Sequence, residues 1–194
     1  MLVVEDGEIV EEYDEFINIG ESISPKITDL TGITNDTLIR EGINEKNIAK
    51  DLKDRLSSGT LMIAHNFQFD LSFIYNLLKR HYGDEADEIL EDLYWLDTVT
   101  ILKDRKAYPH KLIDAVEHYD LEETNFHRAI ADTKALYDVY KAMKDERDDF
   151  EEYVNIFGYN PKYGVNGVRF SFIEYKKHYF NNSMVSPNNI LPRQ

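Results

Sequence analysis

The sequence contains no cysteine, and this absence excludes two kinds of chemistry at once. Neither disulfide bonds nor cysteine-ligated metal sites can form, which fits a reducing compartment, so we expect a cytoplasmic protein. Long apolar runs are also missing, since no stretch approaches the roughly 20 residues that a membrane-spanning helix needs. The first residues show no secretory-signal pattern, and we therefore expect no membrane partner.

Basic residues are scarce, with 22 lysines and arginines against 37 acidic residues and a formal net charge of −15. This balance argues against tight nonspecific binding to a phosphate backbone, so we expect only modest autonomous affinity for nucleic acid. The charge is uneven, because residues 153–194 hold five Lys/Arg and one acid, a net +4, which leaves −19 for the remainder. Such asymmetry indicates either a C-terminal segment with its own role or a solvated basic surface.

A chain of 194 residues that is 42% hydrophobic and 12% aromatic can bury one substantial core. The order of patterns is a hairpin, helices, a strand, a helix, a short strand and further helices, which predicts an α/β fold with a mixed sheet. We expect a main domain over residues 1–148, an aromatic and basic appendage over residues 149–180, and a loose tail over residues 181–194. The turn signals in the appendage predict an extended or hairpin-like segment.

Several local patterns are specific enough to predict individual elements. Asp6-Gly7 between apolar runs predicts a β-hairpin. Pro25 at the start and Gly32 at the end predict a short helix that Ser24 can cap. The apolar run Thr60–Ala64 predicts a strand buried on both faces, and a helix follows from about Phe67 to His81.

The helix near the end of the main domain places an acidic residue on its apolar face. Ala129, Leu136, Val139 and Met143 recur at helical spacing, and Asp132 lies on the same stripe. A buried carboxylate costs several kcal/mol unless an arginine, a helix N-terminus or a metal ion compensates it. The pattern leaves these three possibilities open.

A second carboxylate shows the same feature. Asp70 precedes Phe73 and Ile74 by three and four residues, so it is predicted to point inward in the first turn of its helix, which Asn66 can cap. Either aspartate alone is explained well by a cap or an ion pair. Together with Asp132, Asp70 predicts a shared divalent cation that both carboxylates would bind.

His127 lies five residues before Asp132, which is about 140° around a helix. The two side chains can face one site only if His127 lies in the loop that enters the helix. A histidine beside a metal-bound water is suited to act as a general base. A lone histidine at this position is otherwise explained by simple surface exposure.

These residues resemble a known family. The segments Ala64–Ile74 and His127–Tyr140 are similar to the second and third motifs of the DnaQ-like 3′–5′ exonucleases, in the subgroup (DEDDh) with histidine in the third motif. Residues 6–34, including Thr31-Gly32-Ile33, resemble the hairpin and following helix of proofreading (epsilon-type) subunits of bacterial DNA polymerase III. The resemblance covers Leu2 to Met143.

The resemblance implies a ribonuclease-H-like fold and two divalent cations, Mg²⁺ or Mn²⁺, held by four carboxylates. It also implies hydrolysis of the 3′-terminal phosphodiester of a nucleic acid. Carried over by motif, the site residues are Asp70 and Asp132 as metal ligands, His127 as general base, His65, Asn66 and Phe69 beside the terminal nucleotide, and Asp97 as a supporting residue.

The first motif of the family, a strand that carries Asp-x-Glu ahead of the hairpin, is not found. Asp6-Gly7-Glu8 matches its letters only, because it lies at a tight turn. We therefore expect a sheet without its central first strand, with unpaired edges and at best one weakly bound ion. Three explanations are considered: Met1 is internal to a longer product, which we favour, a partner or swapped strand completes the chain, or the chain is a degenerate, non-catalytic module.

The leading functional expectation is a metal-dependent 3′–5′ exonuclease on single-stranded DNA in replication or repair, with the activity of this chain by itself left open. The first alternative is an RNA-directed exonuclease of the same family, because sugar choice depends on close contacts near the 3′ end. The second is a non-catalytic module that binds nucleic acid or a polymerase, which the aromatic and basic segment Phe157–Phe180 motivates.

Overall fold

A computed structural model of the chain describes residues 1–122 and 129–178. The strands are Leu2–Glu5 (β1), Glu8–Glu12 (β2), Ile17–Asn18 (β3), Ile43–Asn44 (β4), Leu61–Ala64 (β5), Tyr94–Asp97 (β6), Ile156–Tyr159 (β7) and Glu174–Lys177 (β8). The helices are Pro25–Thr31 (α1), Asn35–Glu41 (α2), Glu45–Arg55 (α3), Phe67–Tyr82 (α4), Glu85–Glu91 (α5), Thr98–Arg105 (α6), Leu112–His118 (α7) and Ala129–Glu146 (α8), with a 3₁₀ turn at Phe150–Tyr153. Within these two ranges, no helix combines the length and the apolar character that crossing a membrane requires.

The predicted hairpin is confirmed at the N-terminus. Strands β1 and β2 pair antiparallel, and the turn residues Asp6 and Gly7 have φ of 51° and 84°. Two positive φ values in succession are typical of the type I′ turn, which matches the twist of the two strands. Two ion pairs connect β2 to helices: Arg55 of α3 pairs with Glu11 at 2.6 Å, and Lys134 of α8 pairs with Glu12 at 2.7 Å.

Helix α1 begins at Pro25 and is followed by Gly32, as the sequence predicts. The Ser24 side chain makes no capping hydrogen bond, so the proline at the first position is what defines the start of this helix. Helix α1 buries none of its residues, and α2 buries only Leu38. These two helices therefore lie on the outside of the fold.

The strand predicted over Thr60–Ala64 is confirmed as β5, which pairs in parallel with β6. The predicted burial on both faces is wrong, since Leu61 is 40% exposed, whereas Trp95 and Leu96 of β6 are fully buried. The cause is the pairing: among the described residues β5 has one neighbouring strand, and the hairpin β1–β2 forms a sheet of its own. An open edge of β5 matches the gap expected for a fold without its first strand.

Residues 150–178 join the core of the main domain. Phe157 and Phe170 pack in one apolar cluster with Phe67 and Trp95. Strands β7 and β8 pair in parallel, so the segment is not the hairpin that its turn signals suggest. The backbone N–H of Asn155 donates to the Trp95 carbonyl at 2.7 Å, which places β7 beside β6.

Candidate active site

Asp97, the last residue of β6, connects the starts of two helices. Its Oδ1 accepts hydrogen bonds from the backbone N–H groups of Asn66 (2.8 Å), Phe67 (3.3 Å) and Val99 (3.1 Å). Its Oδ2 accepts a hydrogen bond from the Thr100 hydroxyl at 2.8 Å, and the residue is 5% exposed. A single buried carboxylate therefore caps α6 and also fixes the first turn of α4 against β6.

Asn66 does not act as the predicted side-chain cap. Its backbone is left-handed, with φ of 71° and ψ of 52°, and its side chain makes no capping hydrogen bond. Side-chain capping requires an extended backbone at this position, and the Asp97 carboxylate supplies the missing acceptor instead. The Asn66 side chain is consequently not used by its own helix.

His65 links β5 to two other segments. Its Nε2 lies 3.0 Å from the His110 carbonyl oxygen, and its Nδ1 lies 2.9 Å from the Thr98 hydroxyl. A carbonyl only accepts, so Nε2 carries the hydrogen. In the neutral ring Nδ1 can then only accept from the Thr98 hydroxyl, whose single hydrogen is shared with the Ala64 carbonyl oxygen at 3.2 Å. Burial lowers the pKa of His65, which favours this neutral form.

Asp70 lies in the first turn of α4 on the exposed side of the helix. The prediction that it shares a buried face with Phe73 is wrong, because Phe73 is 64% exposed and the buried face is formed by Phe67 and Leu71. Although the residue as a whole is exposed, nearby protein atoms partly desolvate its carboxyl group. Desolvation raises the pKa of Asp70, the charge of Asp97 adds to this rise, and a backbone hydrogen bond partly offsets it.

Asp132 occupies the first turn of α8, and its Oδ1 is buried. Within residues 1–122 and 129–178 this oxygen accepts no hydrogen bond. In the same ranges neither Asp132 nor Asp70 forms an ion pair with lysine or arginine. A buried carboxylate oxygen without a donor is an expected ligand for a cation.

The donor chemistry of Asp70 and Asp132 fits a hard divalent cation, which prefers carboxylate oxygens. The number of donors is small, since the described part of the chain contains no cluster of three or more histidine and acidic side chains suited to a metal. His127, the predicted general base, lies outside the described residues. Asp70 and Asp132 thus have the donor type that a divalent cation prefers, but the described side chains do not by themselves form a metal site.

Two site residues escaped the sequence analysis. Phe73 pairs with Phe69 at a ring-centroid distance of 5.0 Å, and both rings are more than half exposed. The helical spacing of apolar residues in α4 fits Phe73 on a core face equally well, so the sequence does not show that its ring is exposed. Thr100 holds Asp97, and the Asp-Thr-Val-Thr run after a strand is a capping pattern that indicates such a contact.

Comparison with known proteins identifies relatives by sequence. The exonuclease family model RNase_T matches residues 1–140. The DNA polymerase III PolC-type of Bacillus subtilis (strain 168) is 29% identical over 155 residues, which is 77% of this chain and 10% of that protein. The chain thus spans about a tenth of the length of the curated relatives it matches.

Solved structures show the same fold at low sequence identity. A zinc-bound complex of E. coli ExoI with single-stranded DNA superimposes with a TM-score of 0.62 at 18% identity, covering 76% of this chain and 36% of that one. Exonuclease X in complex with 5′-overhanging duplex DNA gives 0.56 at 16% identity, covering 78% and 84%. These likenesses confirm the ribonuclease-H-like α/β fold. With its family model extending over residues 1–140, the chain belongs to the RNase_T exonuclease family, among the DnaQ-like exonucleases.

Proposed function

We propose that this chain is a metal-dependent 3′–5′ exonuclease that acts on single-stranded DNA. The buried Oδ1 of Asp132, which accepts no hydrogen bond in the described residues, carries the proposal because a cation would satisfy it. Membership of an exonuclease family supports the reaction class. The PolC-type polymerase relatives and the ExoI complex with single-stranded DNA support the choice of substrate and a polymerase as partner. A cytoplasmic location is part of the same proposal.

Each residue has a proposed role in this reaction. Asp70 and Asp132 would hold the ion, which when bound supplies an activated water and stabilises charge on the phosphodiester oxygens. His127 would take the proton from the attacking water. Asp97 positions Asp70 indirectly, because its carboxylate fixes the first turn of α4. His65, Asn66 and Phe69 would lie beside the terminal nucleotide.

The direct test uses single-stranded oligonucleotides with a 5′ fluorophore, incubated with the chain and Mg²⁺ or Mn²⁺. We expect a ladder of products shortened from the 3′ end, lost with EDTA. Asp132→Asn is expected to lower the rate about 100-fold or more, because it removes a ligand charge. Asp145→Asn, an exposed carboxylate on the same helix, is the matched control and should retain the rate.

Substrate choice is measured with matched DNA and RNA oligonucleotides of the same sequence. A faster reaction on DNA supports the proposal, whereas a faster reaction on RNA would assign the chain to the RNA-directed members of the family. The distinction depends on contacts to the 2′-hydroxyl near the 3′ end.

A second function, a non-catalytic nucleic-acid-binding module, is favoured by one observation. The described residues contain no cluster of three or more metal-binding side chains. An activity assay on two forms of the protein distinguishes the two functions. One form is the chain itself, and the other carries an added strand-forming segment with Asp-x-Glu ahead of Met1. Activity that appears only with this segment supports an exonuclease that needs the additional strand, and no activity from either form leaves the binding module.

A further inference from the structure

A loop of residues 160–169 is attached to the first turn of α4 by one glutamine side chain. The Gln68 Nε2 donates hydrogen bonds to the carbonyl oxygens of Asn166 at 3.0 Å and Val168 at 2.8 Å. Its Oε1 accepts a hydrogen bond from the Tyr175 hydroxyl of β8 at 2.9 Å. Two hydrogen bonds from a single amide therefore fix the loop to the helix that carries Asp70, and a third joins the same amide to β8.

The backbone of this loop lies directly on the helix. Gly167 has φ of +83°, and a Cβ at this position would lie 3.3 Å from the Ser72 Oγ. A larger residue would be strained and would push the loop outward. The loop is thus seated through its backbone, while most of its side chains face solvent. The exposed side chains include Lys162, Tyr163, Val168 and Arg169.

Cations and aromatic rings alternate on the exposed surface of the loop. The Arg169 guanidinium lies 5.3 Å from the ring centroids of both Tyr159 and Tyr175. The Lys162 Nζ lies 5.2 Å from the ring of Tyr163, which is itself 75% exposed. From β7 to β8 the chain has four Lys/Arg and one acidic residue, a net +3, although the whole chain carries −15.

The geometry of α4 places this loop, an aromatic pair and Asp70 in order around one exposed arc. Successive residues on a helix are about 100° apart, so Phe69 lies between Gln68 and Asp70. Phe73 lies one turn along, beside Phe69, and the two rings are 54% and 64% exposed. The buried face of the helix occupies the opposite side, at Phe67 and Leu71 in the first turn.

We propose that a single DNA strand follows this arc, with its 3′-terminal nucleotide at Asp70, the next bases against Phe69 and Phe73, and more 5′ nucleotides on the loop of residues 160–169. This inference rests on the proposed function, which places the 3′ end at Asp70. Exposed rings offer stacking surfaces to unpaired bases, and neighbouring cations offer partners to phosphates. The loop supplies the positive charge that the acidic remainder of the chain lacks.

The test compares binding of short and long 5′-fluorescein oligothymidylates, about 4 and about 16 nucleotides, by fluorescence anisotropy at low salt in EDTA. We expect the long strand to bind about 10-fold more tightly than the short one, since only it reaches the loop. Combining Lys162→Ala with Arg169→Ala should remove this difference. It should also make the slope of log K against log salt concentration less steep by roughly 0.7 for each charge removed. Phe73→Ser should weaken both strands about 5-fold.

Arg40→Ala, an exposed arginine on α2 paired with its neighbour Glu41, is the matched control and should leave both affinities unchanged. The single variant Lys162→Ala changes only an exposed side chain and should fold normally, so it tests the loop if the double variant does not fold. Equal affinity for both lengths, or length dependence that survives the double variant in a folded protein, overturns the proposal. Length-dependent binding that the double variant abolishes, in a protein that hydrolyses no oligonucleotide with or without an Asp-x-Glu segment joined ahead of Met1, keeps this surface and rejects the nuclease function.

Discussion

Residues 1–44 and residues 45–178 bury their apolar side chains to very different extents. The N-terminal region contributes a single buried apolar residue, Leu38, and the rest of the described core comes from the second region. Large apolar residues of the N-terminal region that are more than a third exposed are Val4, Ile9, Val10, Ile17, Ile19, Ile27, Leu30 and Ile39. The N-terminal region is therefore held by polar contacts and by a small apolar contact of Tyr13 and Ile43 with the cluster around Ile48, whereas the second region has a packed interior.

The contrast follows from how the strands pair. In the second region β5 and β6 are joined, and Asp97 connects their ends to α4 and α6. In the N-terminal region the hairpin has no strand neighbour among the described residues, and its links to α3 and α8 are made by side chains such as Arg55 and Tyr137. A sheet interrupted between these regions leaves apolar surface that a further strand would cover.

The largest effect that distinguishes the two regions is expected from truncating a buried side chain. Trp95 is fully buried, so Trp95→Ala should lower the free energy of unfolding by about 3–5 kcal/mol. Ile19→Ala, at a side chain that is 53% exposed, should change it by less than about 0.5 kcal/mol. Urea denaturation measures both. Comparable losses for the two variants would contradict the asymmetry.

A buried cation gives the next largest effect. The Arg105 side chain is 2% exposed and bonds to Asp149, to Glu146 at 3.2 Å and to the carbonyl oxygens of Met143 and Arg147. Arg105→Ala should cost about 2–3 kcal/mol, because it removes a buried cation that pairs with the poorly exposed Asp149 and donates to two carbonyls. Arg147 still pairs with Asp149 at 2.6 Å, and each carbonyl keeps one backbone donor, which limits the loss.

Arg40 in the N-terminal region is the matched arginine, since its side chain is 74% exposed and pairs only at the surface. Arg40→Ala should change the free energy of unfolding by less than about 0.5 kcal/mol. The same denaturation series measures both arginines. A loss at Arg40 as large as that at Arg105 would show that the N-terminal region is packed more tightly than its exposure indicates.

Many elements of the fold are predictable from the sequence, and those that are not have a physical reason. Turn residues are local signals, so Asp6-Gly7 and Pro25 located the hairpin and α1 correctly. Helical periodicity does not decide which of two apolar faces is buried. It therefore predicts Phe73 in the core and Asp70 pointing inward, whereas both residues are exposed. The open edge of β5 agrees with the expectation of a sheet without its central first strand.

At the candidate site, the sequence predicts burial along one helix but not the contacts between distant elements. The buried Oδ1 of Asp132 agrees with the apolar stripe around it, because periodicity along one helix is a local property. The role of Asp97 as a hub for α4 and α6 depends on β5 and β6 lying side by side, which no local pattern encodes. The parallel pairing of β7 and β8 likewise depends on contacts with Phe67 and Trp95 that are distant in sequence.

The pH dependence of stability should arise mainly from buried histidines of the second region. The Met1 amino group of the N-terminal region, whose pKa burial lowers from 8.0, contributes in the same direction. Burial lowers the pKa of His65, His110 and His178 below the ordinary value of 6.5, and residues 1–44 contain no histidine. The unfolded chain then binds protons near pH 6.5 that the folded chain does not, so stability falls as the pH is lowered through this range.

Thermal midpoints measured between about pH 7.5 and about pH 5.5 check this prediction. Carboxylates with a lowered pKa, such as Glu11, act below their ordinary value of 4.5 and contribute little in this window. His178→Gln, which retains a donor toward the Lys103 carbonyl, should show a smaller decrease. A midpoint that is constant or rises on acidification would contradict the assignment of neutral, buried histidines.

A local effect that leaves global stability almost unchanged is expected in the hairpin turn, where Gly7 has φ of +84°. Gly7→Ala places a side chain in the left-handed region at a cost of about 1 kcal/mol, although no neighbouring atom obstructs it. Because the hairpin shares little core with the rest of the protein, we expect it to open separately. Hydrogen exchange of the β1 and β2 amides should then accelerate about 5-fold, while the urea midpoint changes little. If the global stability falls by the same 1 kcal/mol and the hairpin amides exchange no faster than those of β6, the two regions unfold as one unit, and the polar contacts of Arg55 and Tyr137 couple them more strongly than their exposure implies.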